Sequence, residues 1–204
     1  MLMPIHRLAR LSDIIFAVAM TILAVVFEPV ALDNLSSDNI TQVLLQELPD
    51  LQIYAITFVT VAFYWFTHVN QFKYYQKTDA IHTFLILFSL MFVVLLPYAS
   101  NLLESYENVF AINVFYSLSA AGIGTFATAA WIYGTQNKRL VADDLSATTI
   151  REVRQEGFVE PILYGVALIP GYFVPWGWNL TVTVGFVIFI VVGFLTSRED
   201  NQQA

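Results

Sequence analysis

Residues 7–29 read RLARLSDIIFAVAMTILAVVFEP, and this amino-terminal stretch decides the fold. Its uncharged part, from Ile14 to Phe27, is short, because a membrane-spanning helix needs about 20 apolar residues. The carboxylates of Asp13 and Glu28 bound it on either side, so the helix is poorly suited to face lipid. It suits the centre of a helix bundle or a water-filled path, where its charged ends are solvated or paired.

The composition of the whole chain is typical of an integral membrane protein. Of its 204 residues, 57% are hydrophobic and 12% are charged, whereas a soluble domain carries roughly 25% charged residues. Such a chain lacks the polar surface that water requires, but a bilayer requires none. The net charge of −7 and the pI near 4.7 argue against nucleic acid as a partner, since nucleic acid binds basic surfaces.

Uncharged stretches mark the membrane spans, because a charge near the bilayer centre is costly. The stretch 161–197 is interrupted at 170–178 by prolines, glycines and tryptophans, which are typical of a turn at the membrane interface, so we divide it into two short spans. The sequence then predicts one all-α transmembrane domain over residues 1–204. Its six helices lie near residues 12–30, 50–72, 80–103, 108–136, 158–174 and 179–196.

The basic residues test this arrangement, because Lys and Arg concentrate in cytoplasmic loops. All nine fall on one side: before the first span, between the second and third, between the fourth and fifth, and after the sixth. The loops on the opposite side contain no Lys or Arg. Both termini are therefore predicted to be cytoplasmic. A single helix over 161–197 would place Arg198 outside and fits the charges less well.

Polar residues are predicted to form a layer at the cytoplasmic end of the first helix. Spans one and two bring six of them to the same depth: Arg7, Ser12, Asp13, Trp65, His68 and Asn70. Asp79 and His82 add to the layer at the start of span three. These groups suit a hydrogen-bonded network that holds the first helix in register. The alternative is that each group is interfacial and separately solvated.

Residues 7–23 resemble the Arg-x-x-x-Phe-Ser-Asp signature that opens the first helix of the transmembrane protein 175 family of potassium channels, prokaryotic branch. The six spans and the cytoplasmic termini are also similar to that family, and Trp65 and His68 add weaker support. Leu11 stands where the family usually has Phe, and Ile14 stands where a small residue often follows the Asp. The Arg, Ser and Asp of the signature are intact.

The resemblance implies a homotetramer whose four first helices line one central potassium pathway, without the carbonyl filter of ordinary potassium channels. Counted from Asp13, the hydrophobic constriction layers of the family fall on Val18, Ile22 and Val25, and its threonine selectivity layer falls on Thr21. The spacing of 18, 22 and 25 independently marks one helical face. A ring of branched aliphatic side chains can close a pore by dewetting. The alternative for this aliphatic stripe is ordinary helix packing.

Two other features bear on ion conduction. Glu28 is expected at the outer mouth of the first span, where a fourfold ring of acids would concentrate cations, or it is an ordinary helix-end carboxylate. Residues 183–186 read TVGF and superficially match the start of a carbonyl filter. We reject this match, because Val187 replaces the second glycine and no pore helix precedes the motif.

The sequence carries none of the common enzyme signatures: no Walker loop, no dinucleotide-binding glycine pattern, no Gly-x-Ser-x-Gly and no His-Glu-x-x-His. His6, His68 and His82 are too dispersed for a metal site, and the chain has no cysteine, so we expect neither a metal nor a cofactor.

With the resemblance, the sequence predicts a potassium-preferring cation channel, not an enzyme. We expect it in the cell membrane, in the inner membrane of a prokaryote, as a homotetramer in the lipid bilayer with potassium as the permeant ion. One alternative is a secondary transporter or proton-coupled carrier, with Asp13, His68 and Glu28 as binding groups. The other is a non-conducting membrane scaffold, in which the polar layer only fixes helix packing.

Overall fold

The computed structural model describes residues 4–26, 41–42, 45, 48–106 and 109–188. The described chain is all-helical, which confirms the predicted fold class. The helices are α1 (Ile5–Val26), α2 (Leu48–Phe72), α3 (Ala80–Ser105), α4 (Phe110–Thr135), α5 (Ala147–Phe173) and α6, described over Gly177–Ile188. A short 3₁₀ turn, Gln136–Lys138, follows α4.

Three of the described segments are long and apolar enough to cross a membrane: residues 5–25, α3 and residues 110–138. The described part of α6 is apolar but shorter. α2, which carries hydroxyl and amide side chains along its length, is not among these three segments, and α5, which opens with alternating charges, has the lowest mean hydropathy of the long described helices.

Two helices extend beyond the spans that the uncharged stretches predict. α1 begins at Ile5 instead of near residue 12, and α5 begins at Ala147 instead of near residue 158. Uncharged stretches delimit only the part of a helix that suits hydrocarbon, whereas these helices continue among exposed charged residues. Ser146 fixes the start of α5, because its hydroxyl oxygen accepts a hydrogen bond from the Thr149 amide at 3.0 Å.

Buried hydroxyl groups hold the centre of the bundle together. α3 packs along α4, α4 packs along α5, and α1 lies against α2 and α3. Within this core, the hydroxyl oxygens of Thr57 and Tyr116 lie 2.9 Å apart, and those of Thr60 and Tyr164 lie 2.6 Å apart. These hydrogen bonds join α2 to α4 and α5 in an interior that offers polar groups few other partners.

The basic residues that the structure describes gather at one end of the bundle. The amide of Gln76, after α2, donates to the carbonyl of Leu140, after α4, at 2.9 Å, and Tyr75 pairs with Val141 in an isolated bridge. Ile5, at the start of α1, packs against the same apolar cluster. The start of α1 and both basic loops therefore share one end, as the distribution of Lys and Arg predicts.

Gly124 offers the first mutational test of the packing. A Cβ atom at this position would lie 2.6 Å from Cγ of Pro161 and 3.1 Å from the ring of Tyr64, neither of which can easily move. We expect Gly124→Ala to lower the free energy of unfolding by about 1 to 3 kcal/mol, as overpacking does. Thermal unfolding in detergent measures the change.

The matched control is Gly165→Ala, because a Cβ at Gly165 on α5 has no atom within 4 Å. Alanine there gains helix propensity, so we expect equal or higher stability, by up to about 1 kcal/mol. Equal behaviour of the two variants would contradict the close contact of α4 with α5.

Candidate functional site

The two faces of α1 have different environments in the subunit. Leu8, Ser12, Phe16, Ala19 and Leu23 are buried against α2 and α3. The opposite face is exposed and carries Ile14, Val18, Ile22 and Val25, whose exposed fractions are 61%, 48%, 37% and 77%. A single subunit thus presents an apolar strip from Ile14 to Val25, and the three predicted constriction residues all lie on it.

Thr21 lies on the same exposed side of α1. Its hydroxyl hydrogen is donated to the carbonyl of Ala17, one turn earlier, at 2.8 Å. A hydroxyl oxygen has two acceptor lone pairs and one hydrogen, so this bond leaves the oxygen able to accept or to coordinate a cation. The predicted selectivity residue therefore presents an oxygen acceptor among branched aliphatic side chains.

One hydrogen bond anchors the inner end of α1 to α2. The indole Nε1 of Trp65 donates to a carboxylate oxygen of Asp13 at 3.0 Å. Asp13 is exposed on the subunit, next to Ile14 at the start of the apolar strip. Together with the buried face, this bond holds the rotation of α1 about its axis, which in turn determines the residues that the exposed face presents.

The other predicted members of the polar layer do not join this bond. The hydroxyl of Ser12 is buried and donates to the carbonyl of Leu8 in its own helix, at 2.9 Å, and Arg7 is exposed. The side-chain amide of Asn70 donates to Glu156 of α5 at 2.8 Å, so it holds α2 to α5 and not to α1.

His68 is buried between aromatic rings. Its ring stacks on Phe72, with ring centres 4.1 Å apart, and lies 5.5 Å from the ring of Phe16 on α1. The Nε2 atom of His68 has no hydrogen-bond partner among the described residues. His68 therefore contacts α1 through packing and not through a polar bond.

Asp79 begins α3 and links it to the end of α4. One carboxylate oxygen accepts from the His82 amide at 2.9 Å, and the other accepts from the Tyr133 hydroxyl at 2.7 Å. Partial burial of Asp79 opposes ionisation, but these two hydrogen bonds outweigh it and hold the pKa of the carboxyl below its usual value. The guanidinium of Arg139 donates to the Tyr133 hydroxyl at 2.9 Å and extends the chain of bonds.

The cost of replacing Asp79 should depend on pH. Because the pKa of Asp79 is lower in the folded protein, its stabilisation is present above the unfolded pKa, about 3.9, and is lost as the pH falls through the folded pKa. We expect Asp79→Ala to cost about 1 kcal/mol at pH 7, the usual loss for a helix cap. Asp79→Asn, which keeps a cap, should cost less. If Asp79→Ala lowers the free energy of unfolding by the same amount at pH 3 as at pH 7, the charge of the Asp79 carboxylate plays no role.

Two sequence predictions fall elsewhere. Glu28 lies outside the described residues. The TVGF motif at 183–186 lies within α6, where the hydroxyl of Thr183 donates to the carbonyl of Asn179 one turn earlier.

Two buried polar residues, Gln71 and Glu160, were not predicted from the sequence. Both amide atoms of Gln71 and the Oε2 atom of Glu160 are buried with no hydrogen-bond partner among the described residues. A signal for Glu160 was present, because a carboxylate inside a predicted span is a functional candidate in itself. Gln71 gave no such signal, since its burial depends on how α2 packs against α4 and α5.

The segment of the chain that contains Asp13 and Trp65 is similar to known proteins. A protein-family model described as the endosomal/lysosomal potassium channel TMEM175 matches residues 7–97, which include α1, α2 and most of α3. The endosomal/lysosomal proton channel TMEM175 of Gallus gallus is 28% identical over 166 residues, which cover 80% of this chain and 32% of the chicken protein. The protein of the same name from Mus musculus is 24% identical over 191 residues, 89% of this chain and 38% of the mouse protein.

The chain thus spans about a third of the length of these vertebrate relatives. A solved structure, a lysosomal potassium-selective channel TMEM175 homolog from Chamaesiphon minutus, shares the fold with a TM-score of 0.77. It is 20% identical, and the match covers 93% of this chain and 96% of that one. The family model, the relatives and the solved structure all point to TMEM175 channels: residues 7–97 are similar to that family, and the chain shares the fold of the bacterial homolog.

Proposed function

We propose that this protein is a potassium-preferring cation channel that conducts passively through a central pore lined by α1 of four identical subunits. Val18, Ile22 and Val25 form hydrophobic constrictions in place of a carbonyl filter, and Thr21 forms the selectivity layer. No cofactor takes part, and the permeant ion is potassium. The channel lies in the cell membrane, the inner membrane of a prokaryotic cell.

The exposed apolar face of α1 carries this proposal. The helix buries one face against its own subunit and leaves Val18, Ile22 and Val25 uncovered, and the exposed carboxylate of Asp13 lies nearer the start of the helix. A helix with an acid at its inner end is a poor lipid-facing helix, whereas around a symmetry axis the acid meets water. Three aliphatic rings on one axis then give a path that opens and closes by wetting and dewetting.

The matching family and the bacterial homolog support the choice of potassium. The matching family is described as a potassium channel, and the bacterial homolog is described as potassium-selective. The acceptor oxygen of Thr21 also suits a weakly hydrated cation. Proton conduction is the second candidate, because the vertebrate relatives are named proton channels. Their names also place them in endosomes and lysosomes, a location that we do not extend to this protein.

Flux from liposomes that contain the purified protein tests the proposal. Vesicles loaded with potassium should lose it faster than protein-free vesicles, and replacing potassium by sodium should slow the efflux. A trapped pH-sensitive dye measures proton flux in the same vesicles. Imaging of the purified particle should show fourfold symmetry, with α1 nearest the axis.

Each rival predicts a different result. Saturable, proton-coupled uptake of a solute would favour a transporter, and the absence of any flux above that of empty vesicles would favour a scaffold. A proton flux without potassium flux would replace potassium by protons as the permeant ion. A particle with α1 on its lipid-facing surface would exclude the pore altogether.

A further inference from the structure

A small polar cavity lies inside the subunit, where α1 to α5 meet. Among the residues that line it are Phe16 of α1, His68 of α2, Ser89 of α3, Gly124 of α4 and Glu160 of α5. The centre of a water molecule can occupy about 10 Å³ within this cavity. By this measure the space is roughly that of one buried water.

Two buried side chains that line this cavity, and a third beside its wall, carry unpaired polar atoms. His68 and Glu160 line the cavity, and each is only 4% exposed. The Nε2 atom of His68 and the Oε2 atom of Glu160 have no hydrogen-bond partner among the described residues. Gln71, with both amide atoms unpaired, lies beside Gly157 of the cavity wall, where a Cβ would be 3.6 Å from its Nε2. Unpaired buried groups are rare, so two of them in one cavity point to a ligand that bonds both.

Two hydroxyl groups at or beside the cavity have already committed their hydrogens. Ser89 donates to the carbonyl of Ile123 at 2.9 Å, and Thr128 donates to the carbonyl of Gly157 at 2.9 Å. A hydroxyl has one hydrogen to give, so these side chains can only accept further bonds. The ligand must therefore both donate and accept, which a water molecule does.

The charge around Glu160 favours its neutral form. None of the described residues that line the cavity is Lys or Arg. The titratable groups that face it are Tyr64 and His68 on α2, His82 on α3 beyond His68, and Glu156 on its own helix. α1 and α4 contribute apolar or small residues. A buried carboxylate without a cation is costly, whereas the protonated acid also gains a donor.

We propose that this cavity is a proton- and water-binding site, in which Glu160 keeps its proton and donates a hydrogen bond to one buried water that also binds His68. The site lies behind α1, because Phe16 both lines the cavity and contacts the His68 ring. Val18 and Ile22 lie on the opposite, exposed face of α1, so the site is separate from the proposed pore. It does not depend on which ion the pore conducts.

Infrared spectroscopy of the full protein in lipid tests the proton. A protonated carboxyl has a C=O band at higher frequency than a carboxylate, and exchange into D₂O shifts it downward. We expect this band in the wild type at pH 7 and its loss in Glu160→Gln. Glu156→Gln is the matched control, since Glu156 is exposed, lies one turn earlier and accepts from Asn70. It should leave the band in place.

A wild-type spectrum without the band, or a band that persists in Glu160→Gln, would overturn the proton assignment. If Glu160→Gln fails to fold, Glu160→Asp should shift the band, and an unshifted band would overturn the assignment equally. The water is tested by a structure at a resolution that shows ordered solvent. Density within hydrogen-bond distance of Glu160 and His68 supports the site, whereas an empty cavity or a bound metal cation there overturns it.

Discussion

Replacement of Ile22 by asparagine should raise potassium flux through the reconstituted protein. In the proposed tetramer the change places four amide groups around one constriction, where the wild type places four branched apolar side chains. Polar groups form hydrogen bonds with water and so lower the free energy of wetting the ring. An ion can pass the constriction only when the ring is wet. We expect an increase of about tenfold, which corresponds to a barrier lower by about 1.4 kcal/mol.

The matched control is Ile169→Asn, at an exposed position of the same residue type on α5. This variant experiences the same cost of a polar side chain in an apolar environment but lies outside the proposed pore. Flux should stay at the wild-type level in the control and rise only in Ile22→Asn. An equal rise in both would indicate a general leak of damaged protein. No change in Ile22→Asn would remove Ile22 from the constriction.

The face of α1 could be predicted from the sequence because helical periodicity depends on the chain alone. Residues 18, 22 and 25 fall on one side of any α-helix, and the exposed strip of the subunit contains all three. The starts of the helices were harder to predict, because charge marks the limit of the hydrocarbon and not the end of the helix. α1 and α5 therefore both begin earlier than their apolar runs.

The partners of the polar residues could be predicted only in part. Asp13 and Trp65 are expected at the same depth, and they do form a hydrogen bond. Asn70, at a similar depth, instead bonds Glu156, 86 residues away in the chain. Depth follows from position along a helix, but the direction of a side chain around the helix depends on which neighbours pack against it. The same reason explains why the cavity near Glu160, built from five helices, leaves no pattern in the sequence.

Loss of the Asp13 carboxylate should change both stability and ion flux. In Asp13→Ala the indole of Trp65 loses its acceptor, and we expect a loss of roughly 1.5 kcal/mol, the low end for hydrogen bonds to charged groups, because Asp13 is exposed on the subunit. Without this bond only the packing of the buried face holds the rotation of α1, so in the proposed tetramer the rings of Val18 and Ile22 are less tightly aligned. Flux in liposomes should therefore differ from the wild type by several-fold.

Trp65→Phe and the double variant separate the bond from other effects of Asp13. Phenylalanine keeps an aromatic ring but removes the indole donor, so the two single changes should be strongly non-additive in thermal unfolding and in flux. Additive effects would mean that Asp13 acts through another group. A destabilised Asp13→Ala protein with wild-type flux would support the scaffold hypothesis, because the polar anchor would then hold the helices together without controlling a pore.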